Sequence, residues 1–290
     1  MSEEYQKQFL ELDEQNRSFI EKEIRDLEEE MKLAEVVDKK KDQELSALLA
    51  DAGIGRAKIQ SFEVEADKRI EAALKIKPLE LERDTRLATS REVSIARAVF
   101  FPTSITKRLT PPPYSCGGSP AADAACVPTL AECNPYKTVR GYGWWGRRRR
   151  KVFGWFWWLY VPPKNGALYV YPRWSVHGAY RLYSDDSWWN SAYARIKLKL
   201  KTNVYQWYWD GWKINTVLNR GDDNINTCRR LDRGYTQSKS LHVTANKPVW
   251  IYNEFELDVY AKSKYAYTRG DFRTGTCNYI RVPWVWTYLI

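Results

Sequence analysis

The sequence predicts an α+β multidomain protein: long N-terminal α-helices, as a coiled coil or a helical hairpin, then an all-β antiparallel sandwich or jelly roll. Three observations carry that expectation. No Pro or Gly interrupts residues 3–51, all fourteen Trp lie at or beyond Trp144, and the charge changes sign along the chain. Residues 1–101 hold 18 basic and 24 acidic side chains, leaving 28 and 12 for the remainder, so an acidic front half precedes a strongly basic back half. The expected divisions are a helical oligomerisation region at 1–101, a Pro/Cys-rich linker or collar at 102–136, and a Trp/Tyr-rich basic β domain at 137–290.

The first helix is expected from its strong helix formers and its periodicity. Phe9, Leu12, Ile20, Ile24, Leu27 and Met31 fall on one stripe at mainly three- and four-residue spacing, with Asn16 as its polar member. Glu21/Arg25 and Glu28/Lys32 are i,i+4 pairs on the solvated side. A helix this long and this polar buries too little alone, so the stripe is expected to pair with other helices and make a homo-oligomer. Gly53 and Gly55 break the pattern, and a second helix is expected from about Arg56 to Lys77, ended or kinked by Pro78.

Residues 100–135 lose all periodicity. Their Pro111-Pro112-Pro113 run is expected to be extended, and PPPY has the form of a WW-domain ligand, although such short motifs often arise by chance. Cys116, Cys126 and Cys133 lie here, whereas Cys228 and Cys277 lie far downstream. All five are candidates for disulfide pairing. No CxxC occurs and neither His has a metal-ligand companion, so no metal and no cofactor are expected.

Short alternating runs fill the back half, divided by turn signals such as Asn165-Gly166 and Asp210-Gly211. In Val249–Ala261, Val249, Ile251, Phe255, Leu257 and Val259 share one face; Trp250, Tyr252, Glu254, Glu256 and Asp258 share the other. That pattern predicts a sheet covered on one side and open on the other. Residues 278–290 are apolar on both faces, which predicts a strand that is central or buried against a neighbour.

The stretch WWGRRRRKVFGWFWWLYV, residues 144–161, is the densest in aromatic and basic side chains. Adjacent Trp on a strand point to opposite faces, so part of this surface is expected to be exposed or covered by another chain. Assembly is placed first: a non-enzymatic structural protein, a fibre, spike or appendage-like subunit or virion component, oligomerising through its helices and through Trp/Arg contacts. The candidates are Trp144, Trp145, Arg147, Arg148, Arg149, Arg150, Trp157 and Trp158. The alternative is a carbohydrate-binding, lectin-like module in which Trp207, Trp209, Asp210 and Trp212, with the loop Asp185-Asp186-Ser187-Trp188-Trp189-Asn190, meet a glycan. Filling of an unusually aromatic core, with Arg stacked on the rings, is the plain competitor. Binding to a membrane surface or another anionic surface ranks lower, and nucleic acid last, because only Lys197, Lys199 and Lys201 make a basic strand face.

Other motifs carry less. Arg220-Gly221-Asp222 and Arg269-Gly270-Asp271 spell an adhesion tripeptide but read equally as turns. Asp185-Asp186 and Asp222-Asp223 fit calcium or glycosidase chemistry, yet acidic turn residues are the commoner reading. His177 and His242 have no nucleophile motif beside them, so no enzyme is expected. No signal-like segment and no apolar run of membrane-spanning length occurs, which suggests a cytoplasmic protein or one carried in an assembled particle.

Overall fold

The computed structural model describes residues 3–75, 105–186, 191–274 and 278–290. Two helices come first, α1 (Glu3–Asp51) and α2 (Arg56–Lys75). Thirteen strands follow among the described residues. They are β1 (Ile105–Leu109), β2 (Ser115–Ser119), β3 (Ala124–Val127), β4 (Glu132–Arg140), β5 (Arg147–Tyr160), β6 (Gly166–Asp185) and β7 (Tyr193–Tyr205). Then come β8 (Lys213–Asp222), β9 (Asn224–Thr236), β10 (Lys239–Val243), β11 (Val249–Lys262), β12 (Ala266–Asp271) and β13 (Tyr279–Leu289).

The strands make two antiparallel sheets. Sheet A has the order β1-β13-β4-β12-β6-β10, with β3 added on β4 and β9 on β6; sheet B has the order β2-β5-β11-β7-β8. Their inner faces meet in one core. Phe156, Trp158, Leu198 and Phe255 of sheet B and Trp174, Val176, Ile280 and Val285 of sheet A belong to it, none more than 2% exposed. Each such side chain stabilises the fold by ~1.5–3 kcal/mol relative to an exposed one. Strand alternation does the sorting: Trp158 points into this core, while its neighbour Trp157 points out of it to the opposite face of sheet B.

That opposite face is not open. Phe9, Leu12 and Ile20 of α1 lie against Phe153, Trp155, Trp157, Trp250 and Tyr252, and Leu27 and Met31 are buried further along the helix. The stripe expected to meet other helices therefore meets a sheet of its own chain. Hydrogen bonds fix the alignment: Trp157 Nε1 donates to Asp13 (2.9 Å), Trp250 Nε1 to Gln8 (2.9 Å), and Arg147 to Asp38 through its backbone N, Nε and Nη2. The β11 pattern told which residues share a face but not what covers it, so the expected open side of this sheet is corrected here. Glu254, Glu256 and Asp258 on that side are each at most 3% exposed.

At its C-terminus α1 closes with a Schellman motif. Gly53 adopts φ +78°, Gly53 N donates to Ala50 O and Ile54 N to Leu49 O, which satisfies two carbonyls of the last turn. The chain then turns to sheet A, where Ile70 of α2 is buried with Tyr183 and Tyr267. Arg69 pairs with Asp185 at 2.8 Å, and Asp67 and Glu63 pair with Arg140 and Lys264. The two helices thus engage different sheets of the β structure.

Strands β1 to β4 come from the segment read as a linker or collar. Tyr114, the last residue of PPPY, packs on Phe9 and Trp250 at ring distances of 4.4 and 4.9 Å, so the motif serves the α1 interface. Cys126 and Cys133, directly opposed on β3 and β4, form a disulfide. Cys116 and Cys228 are free thiols, and Cys277 lies outside the described residues. Strand β13 is central, as its composition suggests, lying between β1 and the strands β4 and β6, but its outer face carries an exposed Trp286.

Candidate ligand-binding site

Most of the predicted Trp/Arg site is consumed by the fold. Trp144 is 4% exposed, and its backbone N and that of Trp145 donate to Asp42. Arg147 is held by Asp38 and Arg149 by Asp258, while Arg148 lies over the Tyr142 ring and Arg150 donates to the Arg149 carbonyl. Trp157 and Trp158 are buried on the two faces of β5. Trp188 and Trp189 lie outside the described residues.

Two rungs of the lysine ladder are also engaged. Across β7 and β11, Lys199 meets Glu256 at 3.0 Å and Lys201 meets Glu254 at 2.7 Å and Glu256 at 2.9 Å. From β5, Lys151 meets Glu256, and it also reaches Glu23 of α1. Burial alone would raise the Glu256 pKa, but Lys201, Lys151 and Lys199 more than offset it and hold the group at about 2. Glu254 goes the other way, because desolvation outweighs its partner Lys201.

What remains together and accessible is the connection between β7 and β8. Trp207 is 57% exposed, Tyr208 67% and Trp212 39%, three large rings within six residues. Local chemistry explains why this loop holds its shape. Gln206 is buried; its Nε2 donates to the carbonyls of Thr244 and Lys247 and its Oε1 accepts from Thr244 N. Lys239 clamps the other end, donating to the Asp210 carbonyl at 2.6 Å and pairing with its carboxylate at 2.8 Å. Gly211, at φ +82°, supplies the left-handed turn. Trp209, half-buried, roots the loop on Tyr205 (5.3 Å) and on Trp157 (6.0 Å).

The platform's polar edge is varied. Trp207 Nε1 is 3.3 Å from Thr244 Oγ1, the Trp212 ring stands edge-on to Tyr252 at 5.6 Å, and Lys201 lies over Trp212 at 5.8 Å. Trp207, Trp209, Asp210 and Trp212, grouped by sequence spacing, all lie in this connection, with Trp209 turned toward the sheet. Gln206, Lys239 and Thr244 escape a sequence reading, because two of them act on the loop from about 30 residues or more away.

The remaining motifs have structural uses. Asp185 pairs with Arg69, Asp186 accepts from Ala192 N, and Asp222 accepts from the amides of its own turn. Arg220-Gly221-Asp222 is exposed at the end of β8, whereas Asp271 of the second tripeptide is buried and paired with Arg269. Among the described residues no group of His, Cys, Asp or Glu could hold a metal ion, and no helix is long and apolar enough to cross a membrane.

No family model matches the sequence, and no curated protein matches it. Three solved structures show a distant likeness. One is the C-terminal CBM6 of LamC, a marine laminarinase from Zobellia galactanivorans, at 12% identity, covering 63% of this chain and 98% of that one, with a TM-score of 0.22. Another is a family 35 carbohydrate-binding module from Clostridium thermocellum, at 10% identity, covering 62% and 97%, with a TM-score of 0.17. The third is TmCBM27, a carbohydrate-binding module described for specific mannan recognition, at 10% identity, covering 64% and 98%, with a TM-score of 0.23. At these scores the likeness carries no weight for function.

Proposed function

We propose that this is a carbohydrate-binding protein whose sugar platform is the β7–β8 connection. The observation that carries the reading is the exposure of Trp207, Tyr208 and Trp212 on a loop clamped by Gln206 and Lys239. Flat rings stack on the C–H faces of sugars, and the Asp210 carboxylate, Lys239 and Thr244 offer hydrogen bonds to hydroxyls. A loop that is already ordered loses little conformational entropy on binding, which favours affinity. The platform adjoins the ring cluster of Trp157 and Tyr252 through Trp209, so it rests on a packed base.

Assembly through helices and the β5 Trp/Arg residues keeps less support. Phe9, Leu12 and Ile20 pack on sheet B of the same chain, and Arg147 and Arg149 already have carboxylate partners. A glycan array probed with the full-length protein, and with a Trp207→Ala/Trp212→Ala variant, tests the reading. Retention on a defined glycan class, lost in the variant, supports it. An unchanged pattern in the variant, or no retention of any glycan, rules it out.

A further inference from the structure

A second arrangement lies on the outer face of sheet A. Ser175 and His177 are two residues apart on β6 and so share a face, and Asp232 stands directly opposite His177 on β9. His177 Nε2 is 2.8 Å from Ser175 Oγ, and Nδ1 is 2.5 Å from Asp232 Oδ1. A proton on Nδ1, held by the carboxylate, leaves Nε2 as the acceptor for the Ser175 hydroxyl. The Tyr279 ring, 4.6 Å away, packs against the imidazole. Arg281 on β13 is the register partner of Ser175; it stacks on Tyr279 at 4.6 Å, and its buried Nε has no hydrogen-bond partner among the described residues. Arg230, exposed on β9, has no ion pair there either.

We propose that Ser175, His177 and Asp232 act as nucleophile, general base and orienting carboxylate in the hydrolysis of carboxylic esters whose acid portion carries a second, anionic group. Such a constellation is recognised by geometry and not by chain order or motif. This goes beyond the sugar-binding reading and does not rest on it. Ser175 Oγ forms a bond to the carbonyl carbon while its proton passes to His177 Nε2. The C–O bond to the alcohol breaks and the alcohol takes that proton. Water then adds to the acyl-serine, again losing a proton to Nε2, and the acid and free Ser175 are released. Arg230, exposed on β9 on the same face as Asp232, selects the anionic ester. Burial lowers the His177 pKa, Arg281 and Arg230 add to that, and Asp232 opposes it, so the ring is neutral and basic at pH 7.

The test is labelling of the full-length protein with a fluorophosphonate probe, located by peptide mass. Ser175 should be the labelled residue, Ser175→Ala should abolish the adduct, and Ser240→Ala should leave it intact. His177→Ala and Asp232→Asn should slow labelling by about 10²-fold or more. Mono-p-nitrophenyl succinate should be hydrolysed faster than p-nitrophenyl butyrate, and Arg230→Gln should remove that preference. A folded protein, verified by circular dichroism, that gives no Ser175 adduct would overturn the catalytic assignment. So would labelling that survives Ser175→Ala. Equal turnover of the two esters would overturn the assigned substrate class.

Discussion

Trp157 and Trp207 come from equally aromatic stretches, yet one is fully buried and the other is mostly in solvent. The difference is the partner. Trp157 lies in β5 at the middle of a sheet face, where α1 offers Asp13 for its N–H and Phe9 for its ring. Trp207 lies in a loop beyond the strand ends, where its N–H reaches Thr244 and more than half of the side chain stays exposed. Both stretches are rich in aromatic rings; a helix more than a hundred residues upstream separates the Trp that is structural from the one left for a ligand.

Substitutions should break that comparison cleanly. Trp157→Ala is expected to cost ~3–5 kcal/mol in urea unfolding, as large aromatic deletions in a core do, whereas Trp207→Ala should stay within about 0.5 kcal/mol. A similar cost at both sites would mean that the loop is as integral to the fold as the face under α1.

The charged ladder beneath α1 gives the next largest effect, read as stability against pH. Glu256 has a folded pKa of about 2 against an ordinary 4.5, so its contribution is present above 4.5 and is lost as pH falls through 2. That contribution is at most ~3 kcal/mol. Glu254, raised by burial, acts in the opposite sense. Glu256→Gln should therefore flatten the acid limb between pH 4.5 and 2, whereas Glu254→Gln should act above pH 4.5, removing a stabilisation gained as pH falls toward that value.

A smaller step removes only the polar tie between helix and sheet. Asp13→Ala leaves the Trp157 N–H buried without an acceptor and is expected to cost ~1–3 kcal/mol. On the loop side, Trp212→Ala should weaken binding to a glycan retained on the array by roughly ten-fold, about 1.4 kcal/mol, with little change in the melting temperature.

Much of this was legible in the sequence. The helix through Asp51, the break at Gly53, the two-faced β11 and the opposite pointing of Trp157 and Trp158 follow from periodicity and backbone rules. The stripe of Phe9, Leu12 and Ile20 was legible as a buried face, but period alone does not say whether a helix or a sheet buries it. Residues 105–136 read as a linker because Pro, Gly and Cys mask short strands such as Ser115-Cys116-Gly117-Gly118-Ser119, which pairs with β5. In the loop, Trp207, Trp209, Asp210 and Trp212 were legible as a group through their spacing. Gln206 and Lys239 were not, because their role depends on β10 and the Thr244 turn lying alongside. The pairing of His177 with Asp232 was hidden for the same reason, since β6–β9 register sets it.

The most direct test is the indole N–H spectrum of ¹⁵N-labelled protein during titration with a glycan retained on the array. The account predicts that the Trp207 and Trp212 signals shift while those of Trp157 and Trp250 stay fixed. Shifts at Trp157 and Trp250, with Trp207 and Trp212 unmoved, would place the sugar on the face that α1 covers and contradict it.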